Sequence, residues 1–354
     1  MERKRTNTPP ISNQLKARLI RKPNKEIQEY DGNFGTVINT GSTLLDLCIS
    51  GDRIHGGGVP SGILVEAFGP SSSGKTVLLS EMAGDVQRKG GEVRFEDPES
   101  RLNASFARMF GLEIEEENYD TPDTVTEVFH NIRKWKPPKK EGIVHGIFID
   151  SLAALSTKME MENEEGDKMG GRRAKEFSEE LRKTCRMIKK ENYLMVCSNQ
   201  IRENMDAVNK YSSKDVTPGG KAVGFYSSLR LQFGTPTKIK SIKNIAGKER
   251  ERIIGVETKI TVFKSSISKP YRVAPVTILF DYGIDDIRQN LQFIKDYTGA
   301  KIYTVGGHNL DKSMDASIKM IESSNLEKRL KEEVINLWEE VEHKFETDRK
   351  LKIR

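Results

Sequence analysis

Long apolar runs, a secretory leader and paired cysteines are all missing from this 354-residue chain. No stretch approaches the roughly 18 consecutive apolar residues of a membrane-spanning helix. The charged N-terminus, MERKRTNTPP, has no apolar signal segment. The three cysteines, Cys48, Cys185 and Cys197, lack metal-ligand spacing and are too few for a disulfide framework. These absences exclude membrane and disulfide-rich classes, and they predict a reducing, cytoplasmic setting with no membrane partner.

A large charge of one sign is missing as well. The 58 basic and 52 acidic residues nearly cancel, so the net charge of +6 permits a nucleic-acid partner without indicating one. The placement of charge is more informative, because residues 1–22 carry seven Lys/Arg against the single acid Glu2. A predicted hairpin at 238–252 carries six Lys/Arg and could contact DNA, a neighbouring subunit or only solvent.

Short β-rich runs alternate with helical stretches between residues 36 and 285. The predicted strands are 63–68, 92–95, 146–150, 193–198, 228–233, 258–263 and 276–280, and the predicted helices include 76–87, 124–134 and 172–191. This alternation predicts an α/β fold with a mostly parallel sheet covered on both faces. The later runs follow one another without helices, which predicts antiparallel strands at one end of the sheet.

Two appendages are predicted around this core. Residues 1–35 combine a short basic helix, in which Ile11, Leu15 and Leu19 lie one turn apart, with a linker. Residues 286–354 are predicted to form a small C-terminal α/β domain that ends in an amphipathic helix. The apolar stripe of that helix consists of Leu326, Leu330, Val334, Leu337, Trp338, Val341 and Phe345. The sequence thus predicts three segments, 1–35, 36–285 and 286–354.

The strongest local signal is a glycine-rich loop of the pattern G-x-x-x-x-G-K-[ST] between a predicted strand and a predicted helix. Its residues are Gly69, Pro70, Ser71, Ser72, Ser73, Gly74, Lys75 and Thr76. Glycines let backbone N–H groups turn toward phosphate, and the helix N-terminus adds positive dipole. Lys75 can reach the β- and γ-phosphates, while the Thr76 hydroxyl can bind Mg²⁺. The loop therefore predicts a nucleoside-triphosphate site with Mg²⁺.

Carboxylates at strand ends are the expected partners of this loop. The apolar run at 146–149 ends in Asp150, which is suited to hold Mg²⁺ at the tip of a neighbouring strand. A base that orients the attacking water is also required. Glu96, Asp97 and Glu99 follow one another at the end of another predicted strand, and spacing alone does not choose among them.

Further segments between residues 36 and 285 extend the pattern. They are INTGSTLLDLCIS, GGGVPSGILVEAFGPSSSGKT, EDPESRLNASFARMFGL, FIDSLAALSTKMEME, GDKMGG, CSNQIR and TPGGKAVGFYSSLRL. With them the sequence resembles the RecA family of homologous-recombination ATPases, and bacterial and phage members more than eukaryotic ones. The resemblance implies a RecA-type core with ATP and Mg²⁺ as cofactors and single- and double-stranded DNA as partners. It also implies assembly into helical filaments, or rings, in the cytoplasm of a bacterial or phage-infected cell.

The resemblance assigns roles that spacing leaves open. Glu99 falls at the position of the water-activating glutamate, and Gln200 at that of a glutamine that senses the γ-phosphate. Asn103 and Phe106 fall where family members contact adenine, and Lys264 where a lysine reaches the γ-phosphate across the subunit interface. The DNA-binding positions fall in or beside two loops, 163–171 and 203–220, the second expected to lack secondary structure. They are Met169, Gly170, Arg172, Arg202, Lys210, Tyr211, Gly219 and Gly220.

Three positions depart from the bacterial pattern of the family. Ser71 stands where many members have an acid, while Ser266 and Gly224 stand where they have further interface lysines. Nucleotide binding is therefore expected together with slow or unusually regulated hydrolysis. Two rivals to a recombinase stay open: a DNA-binding accessory paralogue that uses ATP as a switch, and another RecA-core ATPase that forms closed rings.

Overall fold

The fold is organised around one large sheet. The computed structural model describes residues 33–162, 170–203, 215–216, 221–347 and 349. Its strands are β1 (Asn33–Ile38), β2 (Val59–Ser61), β3 (Leu64–Gly69), β4 (Val93–Glu96), β5 (Tyr119–Asp120), β6 (Gly146–Ile149), β7 (Leu194–Gln200), β8 (Arg202–Glu203), β9 (Asp215–Val216), β10 (Leu229–Phe233), β11 (Thr237–Ile245), β12 (Lys248–Ser265), β13 (Val273–Leu279), β14 (Gly283–Ile284), β15 (Thr304–Val305) and β16 (His308–Asn309). Its helices are α1 (Thr43–Ser50), α2 (Lys75–Arg88), α3 (Ala104–Met109), α4 (Val125–Lys134), α5 (Lys158–Glu162), α6 (Gly170–Glu191), α7 (Lys221–Tyr226), α8 (Asp286–Thr298), α9 (Met314–Ser323) and α10 (Glu327–Lys344). None of these described helices is long and apolar enough to cross a membrane. The predicted N-terminal helix lies outside the described residues.

The strand order of the large sheet is β14-β13-β12-β10-β3-β7-β6-β4-β5, with β11 paired to β12. Every neighbouring pair from β10 to β5 is parallel. The pairs of β12 with β10 and β13, and of β13 with β14, are antiparallel. The predicted α/β fold, with a parallel centre and an antiparallel end, is therefore confirmed.

Helices cover both faces of the parallel strands, so the strands are apolar on both sides. In β6, Phe148 packs into one buried cluster, while Ile147 and Ile149 pack into the other. The first cluster includes side chains of α2, and the second includes Phe129 of α4 and Phe177 of α6. The alternation of side chains along a strand thus divides the core into two layers.

The C-terminal elements join the first of these clusters. Leu330, Val334 and Trp338 on α10 are buried there, as the predicted amphipathic stripe requires. Phe345, the last member of the predicted stripe, lies just beyond α10 and is 81% exposed. Described residues on both sides of residue 285 share one apolar core, and the three-segment division of the chain stays a prediction.

Phe148 supports the sheet beneath the site, and its truncation should destabilise the protein strongly. The ring is fully buried and stacks on Phe95 with 6.1 Å between centroids. Phe148→Ala should therefore lower the free energy of unfolding by about 3–5 kcal/mol, the range for a large buried aromatic. Urea unfolding measures the change. Phe345→Ala is the matched control and should change stability by less than about 0.5 kcal/mol; equal effects of the two variants would contradict this packing.

Parallel pairing also determines where polar groups collect. β3, β7, β6 and β4 are adjacent and run in the same direction. Their carboxyl ends therefore bring Gly69, Gln200, Asp150 and Glu96 to one edge of the sheet. In open α/β sheets this edge is where ligands bind.

Candidate nucleotide-binding site

The loop between β3 and α2 requires glycine at two positions. Gly74 has φ of 98°, and a Cβ there would lie 2.3 Å from Cδ1 of Ile278. A Cβ on Gly69 would lie 2.6 Å from the carbonyl oxygen of Phe233. Gly74 is also the residue that precedes the first turn of α2. The two glycines therefore let the loop turn sharply and direct the N-terminus of α2 toward the cleft.

Lys75 lies inside this loop rather than in solvent. Its side chain is buried, and Nζ donates to the carbonyl oxygens of Pro70 at 2.6 Å and Gly69 at 3.2 Å. Desolvation lowers the pKa of Lys75, while the charges of Asp150 and Glu99 raise it. A desolvated ammonium beside turned backbone N–H groups is suited to an anionic ligand such as phosphate.

Thr76 and Asp150 form the oxygen pair that the sequence predicts for Mg²⁺. Thr76 Oγ1 donates to Oδ2 of Asp150 at 2.6 Å, and Ser198 Oγ donates to Oδ1. Removal from water raises the pKa of Asp150, and the bonds from Ser198 and Thr76 lower it. The described residues contain no cluster of three or more His, Cys, Asp or Glu that could hold a metal. The hydroxyl of Thr76 and the carboxylate of Asp150 are oxygen ligands of the kind that suits Mg²⁺, which binds few protein oxygens and completes its shell with phosphate and water.

The structure separates the three carboxylates that follow one another after β4. Glu96 is fully buried and pairs with Nε of Arg94 at 2.8 Å. Asp97 Oδ2 accepts from two backbone N–H groups of the next turn and from the Tyr119 hydroxyl, each at 2.8 Å. Only Glu99 of the three lines the cleft. Glu96 and Asp97 are thus engaged in contacts within the fold, and Glu99 is the one of the three that faces the cleft.

Glu99 is held by donors from three different segments. Ser151 Oγ donates to Oε1 at 2.6 Å, and Gln200 Nε2 donates to the same oxygen at 3.2 Å. Arg101 Nη1 lies 2.7 Å from Oε2. Gln200 ends β7 and Ser151 follows Asp150 at the end of β6, so the sheet itself positions this carboxylate.

These groups face a single cleft of about 280 Å³. It is lined by Ser71, Ser72, Ser73, Gly74, Lys75, Thr76, Val77, Glu99, Arg101, Asp150, Ser151, Ser198, Gln200, Val256, Ile278 and Phe280. The cleft thus combines a turned glycine-rich backbone, a buried cation, the oxygen pair of Thr76 and Asp150, and the further carboxylate of Glu99. That set of groups is suited to binding a nucleoside triphosphate and activating water beside it.

The two predicted adenine contacts lie beside the cleft and not in its lining. Asn103 caps α3, since Oδ1 accepts from the Phe106 backbone N–H at 2.8 Å. The Phe106 ring meets Phe110 edge-on with 4.8 Å between centroids. Contact of either residue with a base stays a prediction.

Lys264 does not line the cleft of its own chain. Nζ donates to the carbonyl oxygens of Gly224 at 2.9 Å and Phe225 at 3.2 Å, in the last turns of α7. Desolvation lowers its pKa. Ser266 Oγ donates to the carbonyl oxygen of Ser228 at 3.0 Å. A role of Lys264 in a neighbouring subunit's site stays a prediction.

Most of the predicted DNA-binding positions lie outside the described residues; they are Met169, Lys210, Tyr211, Gly219 and Gly220. Gly170 begins α6, and Arg172 lies exposed in its first turn, with Nη1 3.4 Å from Sδ of Met159. Arg202 begins β8, which pairs antiparallel with β9. The expectation that the second loop lacks secondary structure is therefore wrong at its base, where backbone hydrogen bonds hold two short strands together.

Sequence reasoning missed a buried network beneath Gln200. Glu66 on β3 is fully buried, and its two oxygens accept from Asn199 Nδ2 at 3.0 Å and Arg230 Nε at 2.6 Å. The Arg230 guanidinium also lies 4.3 Å from the centroid of the Phe68 ring. A lone charged residue within an apolar strand, as in LVEAFG, was the available signal, because a buried charge needs a partner.

A phosphate-binding loop between a strand and a helix, at the carboxyl edge of a mostly parallel sheet, defines the P-loop class of α/β proteins. The family model for the RecA N-terminal domain matches residues 26–285. Protein RecA of Delftia acidovorans is 35% identical over 248 residues, which cover 70% of this chain and 63% of that protein. Protein RecA of Macrococcus caseolyticus is 34% identical over 260 residues, which cover 72% of this chain and 67% of that protein. The chain thus spans about two thirds of the length of these curated relatives, and it belongs to the RecA family.

Proposed function

We propose that this protein is an ATP-dependent DNA recombinase. It would assemble head to tail into helical filaments on single-stranded DNA and pair that strand with homologous duplex DNA in the cytoplasm. The observation that carries the proposal is the contact between Gln200 and Glu99, because it joins the cleft to the strand that leads into residues 203–220. Membership of the RecA family and the similarity to Protein RecA of two bacteria support the same function.

Hydrolysis would use the cleft as follows. Lys75 and the loop N–H groups would hold the β- and γ-phosphates, and Thr76 and Asp150 would hold Mg²⁺, which when bound offsets phosphate charge. Glu99 accepts a proton from water while the water oxygen attacks the γ-phosphorus. The bond between the γ-phosphorus and the bridging oxygen of the β-phosphate breaks. ADP and phosphate leave. Positioning and charge stabilisation carry most of such a reaction.

Gln200 offers a path from this chemistry to DNA. The Gln200 amide contacts Glu99. Strand β8 begins two residues after Gln200, and it pairs with β9, which begins at Asp215. A change in the partners of Gln200 between nucleotide states would shift this short ladder. Loops 163–171 and 203–220 are proposed to contact DNA through the predicted positions, including Arg172 and Arg202. ATP would then favour the DNA-binding arrangement through its differential contacts.

The β11–β12 hairpin offers a second surface for phosphate. Its register places Lys243 opposite Arg250 and Ser241 opposite Arg252. Because directly opposed residues share a face, these cations and Lys248 lie together on one side. Along this fully described hairpin, Glu249 and Glu251 lie on the other side, where Glu251 pairs with Lys240 at 3.0 Å. The four cations Lys243, Lys248, Arg250 and Arg252, here called the cationic face, are suited to the DNA backbone.

Neutralising part of the cationic face should weaken DNA binding in a salt-dependent way. The double variant Lys243→Gln/Arg250→Gln should reduce the slope of log K against log salt by about 1.4 on single-stranded DNA, since each lost phosphate contact contributes about 0.7. Fluorescence anisotropy across a salt series measures it. Lys240→Gln, on the opposite face, is the matched control and should leave the slope unchanged. Equal slopes for the double variant and the wild type would contradict a DNA-binding role for this face.

A DNA-binding accessory paralogue is the second candidate, and one feature favours it. Gly224 and Ser266 provide no cation for a neighbouring subunit, and Lys264 is bonded to α7 of its own chain. Turnover that depends on cations donated across an interface would then be slow. Such a protein would use ATP as a switch for DNA binding.

Hydrolysis and strand pairing, measured together, test the proposal. We expect ATP hydrolysis that single-stranded DNA stimulates, and transfer of a fluorescent strand from a homologous duplex but not from a heterologous one. ATP-dependent DNA binding with little stimulated hydrolysis and no strand transfer would favour the accessory protein. If the protein shows neither of these activities on DNA, both candidates are overturned.

A further inference from the structure

Arg101 is a cation of the cleft with no role in the P-loop pattern. Its Nη1 lies 2.7 Å from Oε2 of Glu99, and its side chain lines the cleft together with the phosphate loop. The Arg101 side chain is 74% exposed, whereas that of Glu99 is 14% exposed. The ion pair therefore joins a solvent-facing cation to a fixed anion.

The backbone at Arg101 is held independently of its side chain. The N–H groups of Arg101 and Leu102 both donate to Oδ2 of Asp97 at 2.8 Å. Leu102 packs into the core next to this turn. The guanidinium can therefore change partners while the turn stays in place, and substitutions of the side chain should leave the turn intact.

The two oxygens of Glu99 have different partners. Oε1 accepts from Ser151 and Gln200, which the ends of two strands position. Oε2 faces Arg101 alone among the described contacts. Oε2 is thus the oxygen that can receive a proton from water, and Arg101 covers it.

The pair between Arg101 and Glu99 is easy to exchange. The Arg101 side chain lies largely in solvent, and ion pairs at the surface contribute only about 0–1 kcal/mol. A guanidinium binds phosphate oxygens with two parallel hydrogen bonds, a stronger and more directional contact than a single carboxylate oxygen offers. A γ-phosphate in the cleft would therefore compete with Glu99 for Arg101, whereas a diphosphate would bring no such group.

We propose that Arg101 distinguishes nucleoside triphosphate from diphosphate by exchanging Glu99 for the γ-phosphate. The exchange frees Oε2 of Glu99 to receive the proton of the attacking water, so the base becomes available only when its substrate is bound. The inference rests on the proposed function, since it takes this cleft as an ATP site. Arg101 would also supply, from the same chain, a cation for the γ-phosphate that Ser266 and Gly224 do not supply across a subunit interface.

Nucleotide affinities without DNA test this assignment directly. Titration calorimetry with Mg²⁺ would compare ADP and the non-hydrolysable analogue AMP-PNP for the wild type, Arg101→Ala, Arg101→Lys and Arg108→Ala. Arg101→Ala should weaken AMP-PNP about 10-fold, or about 1.4 kcal/mol, and leave ADP within about twofold. Arg101→Lys should recover part of the loss, since it restores the charge without the bidentate geometry. Arg108, which pairs with Glu113 at 3.3 Å outside the cleft, is the matched control and should change neither affinity.

A double-mutant cycle separates exchange from simple attraction. Glu99→Gln removes the competing carboxylate and should tighten AMP-PNP binding, and Arg101→Ala in that background should remove the gain. Wild-type affinities in Arg101→Ala, or equal losses for ADP and AMP-PNP, would overturn the inference. The protein could prefer AMP-PNP through Arg101 and yet show no DNA-stimulated hydrolysis. That result would support the inference and contradict only the proposed recombinase function.

Discussion

Replacing Lys75 with alanine is expected to abolish ATP hydrolysis and nucleotide-dependent assembly on DNA. The ammonium is buried in the loop, where Pro70 and Gly69 hold it beside the cleft. Its loss removes the cation that we expect to meet the β- and γ-phosphates. Because such a group acts in a site with little water, turnover should fall by at least about 10²–10³-fold.

A phosphate-release assay and filament imaging measure the effect of Lys75→Ala. Lys134→Ala, on the exposed surface of α4, is the control for loss of one lysine and should behave as the wild type. Thermal unfolding of both variants checks that the fold is retained. Hydrolysis by Lys75→Ala at the wild-type rate would show that the cleft is not the nucleotide site.

Glu99→Gln is expected to reduce turnover while nucleotide binding persists. The amide keeps the size of the carboxylate and can still contact Ser151 and Gln200, but it cannot receive a proton from water. General-base catalysis contributes about 10²–10⁴-fold, and the rate of ATP hydrolysis at saturation should fall by that factor.

Single-turnover hydrolysis separates this chemical step from nucleotide binding and product release. Glu113→Gln, at an exposed carboxylate outside the cleft, is the matched control and should leave the rate unchanged. If Glu99→Gln hydrolyses ATP within about threefold of the wild-type rate, less than the smallest general-base contribution, another group activates the water.

Local patterns in the sequence were sufficient to predict much of this site. The phosphate loop is contiguous, so its spacing identifies Lys75 and Thr76 without knowledge of the fold. Asp150 could be predicted because it follows an apolar strand, and parallel strands end at one edge. The hydrogen bond between Thr76 and Asp150 confirms that these two residues lie together.

Residue types and spacing alone did not decide among the neighbouring carboxylates. All three are carboxylates, and they differ in their surroundings. Glu96 pairs with an arginine, Asp97 accepts from a turn, and Glu99 lines the cleft. Ser151 and Gln200, which contact Glu99, belong to segments far from it in the chain. Spacing along the sequence therefore does not predict these contacts. The family resemblance selected Glu99 where the residues alone did not.

The hairpin shows a similar limit. A count of six Lys/Arg between 238 and 252 does not reveal how they are distributed. The register of β11 with β12 separates Lys243 and Arg250 from Glu249 and Glu251, because cross-strand pairs alternate between faces. A shift of one residue in that register would change which residues share a face.

The central claim is that a nucleoside triphosphate in this cleft drives assembly on DNA. Electron microscopy of the protein on single-stranded DNA, with AMP-PNP and with ADP, tests it most directly. We expect open helical filaments whose pitch is longer with AMP-PNP than with ADP, and no such extension for Lys75→Ala. Closed rings, or filaments of the same pitch with either nucleotide, would contradict the claim.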